Sequence, residues 1–271
     1  MRTSHTFAII CGLAASGPLA VLAQQQPATT PELSVTLGIR SFIHSVEGSS
    51  PVPVPGALDP VVFFEDAVNS GTSEVSWIPS IGVTYGSFLL SASYLTRTDY
   101  KETTSAGVPL DFSRKEWDAN VGYFFLSSLA ITVGYKDIEV EGSAPGVGEG
   151  GQRYRGPTLG LVSAAPLASN LSLYGAAAVG RMKIRYTGYL GPELRSDGLY
   201  TFAEIGLRHT FVMSGQAGLK AVTASIGYRT QRVRDDGIGL VRLGPNGSLG
   251  AYEGHPINRS DGFVIGLFGT F

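Results

Sequence analysis

Eight residues could carry chemistry because of where they fall. Arg40, Glu116, Asp118, Asn120, Lys136, Glu204, Arg208 and Arg229 interrupt stretches in which large apolar residues alternate with small or polar ones. In an extended strand, side chains at i, i+2 and i+4 share a face. Each of the eight lies on the face opposite the large apolar residues. If those strands close on themselves, charges of both signs meet in one interior, where each needs a partner. Such a set can form a salt-bridge network that fills the interior. It can also form a charged constriction that tunes passage of a solute. No general acid, base and nucleophile stand out as a group.

Other polar residues carry less. His44, His209 and His255 read as surface, interface and loop residues. Glu253-Gly254-His255 lies in a loop, and Asp235-Asp236-Gly237 lacks the spacing of an oxygen-ligand cation site. The sequence therefore predicts no catalytic set, cofactor or metal. Charged residues make up 15% of the chain, against roughly 25% in an average soluble chain. The net charge of −2 and the lack of a basic run argue against a nucleic-acid partner.

The N-terminus is organised differently from the rest. Arg2 and His5 precede an apolar run from Phe7 to Ala23, broken by Gly12, Gly17 and Pro18, and Val21-Leu22-Ala23 is a small-residue cleavage site before Gln24. This predicts a secretory signal peptide over 1–23, with a polar leader at 24–32. Cys11, the only cysteine, lies inside it, and Ala8-Ile9-Ile10 before it is not a lipobox. The exported chain then has no disulfide or thiol chemistry.

From Leu33 onward the period is two, not 3.6. Leu33, Val35, Leu37 and Ile39 alternate with Ser34, Thr36, Gly38 and Arg40. The same pattern is centred on Ile81, near Leu90, and on Val121, Val133, Leu159, 171–185, 198–211, 218–231 and 261–271. We expect ten strands, with eight or twelve as alternatives. Connections alternate long and short. The long ones include 44–75, about 99–114, about 141–153 and 232–260; the short ones include Gly86-Ser87 and Leu126-Ser127-Ser128. Strands of roughly 10–15 residues exceed the usual ~5–6 and suit crossings of ~9–11 tilted residues. This predicts an all-β fold: a transmembrane, antiparallel, up-and-down β-barrel over 33–271.

A glycine recurs between two large apolar residues: Leu37-Gly38-Ile39, Ile81-Gly82-Val83, Val121-Gly122-Tyr123, Val133-Gly134-Tyr135, Leu159-Gly160-Leu161, Ile205-Gly206-Leu207, Ile226-Gly227-Tyr228 and Ile265-Gly266-Leu267. On a solvated face these glycines would only weaken strands. On the inside of a narrow barrel they give space and permit curvature. The polar, small face is therefore expected inward and the apolar face toward lipid. Trp77, Tyr85, Tyr94, Trp117, Phe125, Tyr200 and Phe211 sit where aromatic girdles would lie.

The signal peptide, the strand and loop alternation and the aromatic last strand ending in Phe271 resemble the bacterial outer-membrane β-barrel proteins as a class. The resemblance implies the outer membrane of a Gram-negative-type envelope. Its lipid and the barrel-assembly machinery would be partners, and Phe263, Ile265, Leu267 and Phe271 the assembly signal. It leaves open a narrow solute channel, a structural envelope protein, and an adhesin or receptor that binds a surface ligand through 44–75 and 232–260. Omptins share the strand count, but their Asp pair and Asp–His pair have no counterpart at strand tops here. The His-x-Ser of lipid A deacylases is also missing. Loop one carries Pro51-Val-Pro-Val-Pro55 and Val61-Val-Phe-Phe64, an apolar run expected to fold over the mouth.

Overall fold

The computed structural model describes residues 32–48, 50–53, 62–65, 73–103, 109–144, 148–187, 194–213, 218–236, 240–243, 249–252 and 257–271. The segments expected to be a signal peptide, 1–23, and most of the expected leader, 24–32, lie outside them. Among the described residues there is no helix. Ten strands make the barrel: β1 (Leu33–Gly48), β4 (Glu74–Tyr85), β5 (Phe88–Thr103), β6 (Pro109–Leu126), β7 (Leu129–Ala144), β8 (Gly148–Pro166), β9 (Leu171–Thr187), β10 (Leu194–Val212), β11 (Ala221–Asp235) and β14 (Ile257–Thr270). Two hairpins lie outside the barrel, β2 (Ser50–Pro53) with β3 (Val62–Glu65) and β12 (Leu240–Leu243) with β13 (Leu249–Tyr252).

Each barrel strand pairs antiparallel with its neighbours. The order β1-β14-β11-β10-β9-β8-β7-β6-β5-β4 closes through β1–β4. The closing strand β14 is held on both sides, with Ile39↔Leu267 toward β1 and Ile226↔Ile265 toward β11. Past it, the Phe271 amide donates to the Val35 carbonyl at 2.8 Å. Closure leaves no open edge, as a bilayer demands.

The strands run further than their sequence suggests. β1 continues to Gly48 and β4 starts at Glu74. β5 and β6 absorb most of 99–114, and β7 and β8 most of 141–153. Charged residues read as loop because they end the apolar alternation, yet the backbone ladder continues above the apolar belt. Val62, Phe63 and Phe64 form β3, whose backbone pairs with β2. Their side chains lie outside the described set, as does His255.

The large apolar residues face out: Leu37, Ile39, Ile81, Val121, Val133, Ile205, Phe263, Ile265, Leu267 and Phe271 are all exposed. Trp77, Tyr85, Tyr94, Trp117, Phe125 and Phe211 join them, and Trp117 stacks on Tyr135 with ring centroids 5.7 Å apart. Tyr200 does not. It is fully buried, because it shares the inward face with Phe202 and Glu204.

The interior is also less polar than expected. Phe42, Ile78, Leu95 and Val264 pack into one buried cluster, and a larger one includes Leu89, Tyr154, Tyr174, Met182 and Phe202. A ten-stranded barrel is narrow enough for side chains to fill. The glycines make room for this filling. A Cβ at Gly206 or Gly227 would strike Tyr174, and one at Gly38 or Gly266 would strike Phe268.

Candidate functional site

The inward face brings together the charged residues that the alternation singles out. Arg40, Glu116, Asp118, Asn120, Lys136, Glu204, Arg208 and Arg229 are each 3% exposed or less. Five strands present them, β1, β6, β7, β10 and β11, and β5 supplies Ser93 as a partner.

Glu116 is the hub. Arg114 Nε donates to its Oε1 at 2.7 Å, Lys136 Nζ lies 2.6 Å from its Oε2, and Gln231 Nε2 donates to Oε1 at 2.5 Å. Beside it, Asp118 accepts from Ser93 Oγ at 2.6 Å and from Asn120 Nδ2 at 2.9 Å. A second centre is Glu204. Arg40 Nη1 donates to both its oxygens at 3.2–3.3 Å, and the Tyr174 hydroxyl donates to Oε1 at 3.1 Å. Each carboxylate thus has charge-assisted bonds, which a buried ion pair requires.

Two cations are held differently. Arg229 lies between Phe42 and Phe202, its guanidinium carbon 5.2 and 4.9 Å from the ring centroids. Arg208 donates through Nε to Ser172 Oγ at 2.9 Å and lies 6.0 Å from the Tyr174 ring centroid. Faces of aromatic rings attract cations through their quadrupole. Several guanidinium nitrogens of Arg40, Arg208 and Arg229 have no hydrogen-bond partner among the described residues.

Three participants escape the sequence reading. Arg114 falls in the stretch read as loop; its Nη1 donates to Asn258 Oδ1 at 2.5 Å across the interior. His44 is not a surface residue. It is buried, with Nδ1 2.6 Å from Ser260 Oγ and Nε2 2.8 Å from Ser76 Oγ and 2.9 Å from the Tyr100 hydroxyl. Asp235 is buried too, accepting from the Tyr186 hydroxyl at 2.8 Å and Ser196 Oγ at 2.6 Å. Carrying the period of two onward would have found all three: Arg114 precedes Glu116 and Asp118, His44 follows Arg40 and Phe42, and Asp235 follows Arg229 and Gln231.

The histidines are set apart from the carboxylates of the hub. The two nitrogens of His44 face hydroxyls, not a carboxylate. His209 packs its ring at 4.4 Å on Phe211 at the other end of the barrel. No group of three or more His, Cys, Asp or Glu could hold a metal among the described residues.

No protein-family model matches the chain, and no curated protein matches it in sequence. Among solved structures it is similar to the outer membrane protease OmpT from Escherichia coli, with a TM-score of 0.51 and 12% identity over 88% of this chain and 97% of that one. It also overlaps the β domain of the Bordetella autotransporter BrkA (TM-score 0.42, 12% identity, 88% and 99% covered). A Pseudomonas aeruginosa FadL homologue overlaps too (TM-score 0.35, 10% identity, 93% and 92% covered). At 12% identity the OmpT likeness concerns architecture alone: this chain has the fold of an outer-membrane β-barrel.

Proposed function

We propose that the chain is a non-enzymatic, integral barrel of a Gram-negative-type outer membrane. It would be exported by a signal peptide cleaved after Ala23. Its closed interior would act as a rigid core, and the segments 49–73 and 237–256 would present the protein at the surface. One observation carries this reading. Gln231 on β11 donates to Glu116 on β6, and those strands stand third and eighth in a closed order of ten. Side chains therefore meet across the full diameter. The Arg114–Asn258 bond from β6 to β14 crosses nearby.

Conductance in planar bilayers tests it. The intact protein should give no steady channel, whereas Gln231→Ala combined with Arg114→Ala, which removes both crossing bonds, should leak. Steady conductance from the intact protein would sink the closed-core reading. It would favour a narrow solute passage, for which the unpartnered guanidinium nitrogens of Arg40, Arg208 and Arg229 speak. A surface-binding role predicts that deleting 49–73 leaves the barrel folded and abolishes ligand capture.

A further inference from the structure

The charges inside the barrel do not balance. Among the described residues, Arg40, Arg114, Lys136, Arg208 and Arg229 are buried on the inward face, against Glu116, Asp118 and Glu204. The other buried inward carboxylate, Asp235, stands about 20 Å beyond Arg229 along β11. Arg114 and Lys136 balance Glu116 and Asp118. Arg40, Arg208 and Arg229 are left with Glu204. Arginine keeps its charge in proteins, so loss of protons does not remove the surplus.

The surplus has a definite place. Arg229 is covered on two sides by the Phe42 and Phe202 rings. Arg208 is bonded only through Nε, to Ser172; its Nη1 and Nη2 are buried with no hydrogen-bond partner among the described residues. Arg40 uses Nη1 on Glu204, and its Nε and Nη2 are likewise buried and unpartnered. The register sets these two arginines on one row of the sheet. Arg40 lies opposite Gly266, Gly266 opposite Ser225, and Ser225 opposite Arg208. Only a glycine and a serine stand between them on the wall. Both heads also converge on Tyr174. Its hydroxyl shares Glu204 Oε1 with Arg40 Nη1, at 3.1 and 3.3 Å, and the Arg208 guanidinium carbon lies 6.0 Å from its ring centroid.

We propose that Arg40 and Arg208 together bind one small monovalent anion, a halide such as chloride, enclosed in the barrel interior beside Ser225. Charge sets the valence: two guanidinium groups against the single Glu204 leave one positive charge. Space sets the size. A mere Cβ at Gly266 would come within 2.7–2.9 Å of Ser225 Oγ, the Phe268 ring and the Arg40 stem, so the wall here has no room for a bulky organic anion. Water could accept from the free nitrogens, but it carries no charge to offset two buried cations. A halide does both, through charge-assisted hydrogen bonds. The inference goes beyond the closed-core reading: it gives the core a bound ion.

The test uses the full barrel, refolded into phosphatidylcholine vesicles in sodium chloride or in sodium gluconate of equal ionic strength. Chloride should raise the urea midpoint of wild type saturably. At ten times the half-saturating concentration the folded-to-unfolded ratio should rise about tenfold. Arg208→Met leaves Arg40 paired with Glu204; it should be at least as stable as wild type in gluconate and give the same midpoint in chloride. Arg97→Ala, on the outer face, should keep the full chloride response. A heat-modifiable gel shift reports folding of each protein. In crystals grown with bromide, an anomalous peak should lie within hydrogen-bond reach of both Arg40 and Arg208, a readout that needs no variant. Equal midpoints of wild type in the two salts, a chloride response kept by Arg208→Met, or no bromide between the two arginines would each overturn the site. None of these outcomes requires a conducting pore, so each would leave the closed core standing.

Discussion

The lumen and the collar above the apolar belt use the same residue types to opposite effect. Inside, Arg114, Glu116 and Lys136 are 1–2% exposed and lie 2.6–2.7 Å from their partners. On the collar, Arg97 reaches Asp99 at 3.4 Å and Glu141 at 3.1 Å, but these side chains are 49–80% exposed. Water screens the collar pairs and keeps them weak. At the Glu116 hub the partners take the place of lost hydration, so removing one leaves a buried charge uncompensated. Similar contacts are therefore structural in one place and nearly free to change in the other.

The largest expected effect follows from breaking the lumen hub. Glu116→Ala would leave Arg114 and Lys136 buried beside one another, at a cost of about 3–5 kcal/mol. Urea unfolding in vesicles should show the loss, and an unchanged midpoint would erase the distinction between the two regions. Next comes space rather than charge. Gly206→Val would press on the Ile226 carbonyl and the Tyr174 ring, and overpacking of this kind costs about 1–3 kcal/mol. Replacing Tyr174 with a smaller residue in the same chain should recover part of that loss if the ring is the obstacle.

Collar variants should do much less. A double-mutant cycle on Lys115 and Glu139, 2.7 Å apart and partly exposed, should return about 0.2–1 kcal/mol. That coupling should shrink in high salt, whereas the Glu116 effect should not. Smallest of all, Arg97→Ala should stay within about 0.5 kcal/mol of wild type. A large loss there would mean that the collar is a structural network after all.

Much of the barrel was legible because a strand's period is short and local. Ile265-Gly266-Leu267 and its seven counterparts announce which face is crowded. Arg40, Glu204 and Arg229 betray the inward face by parity alone. The reading stopped where local signals stop. His44, Arg114 and Asp235 lie in stretches where charge replaces apolar alternation, so they looked like loop. On β5 the register slips between Leu95 and Thr98. Inward residues change from Ser91, Ser93 and Leu95 to Thr98 and Tyr100, and no pattern in the chain marks that extra residue. Tyr200 looked like a girdle residue by its place near a strand end, but its parity sent it inward.

The sequence by itself determined that the chain is built of long antiparallel strands, which face of them is apolar, and that Arg40, Glu116, Asp118, Lys136, Glu204, Arg208 and Arg229 turn inward. Those follow from the alternation of side chains, which each strand carries alone. Only the tertiary structure decided that Glu116 gathers Arg114, Lys136 and Gln231, and that bonds cross the diameter. These depend on strand order, shear and closure, which bring together residues separated by more than a hundred positions, such as Glu116 and Gln231. Period two fixes a side chain's face; the partner it meets there is fixed only when the barrel shuts.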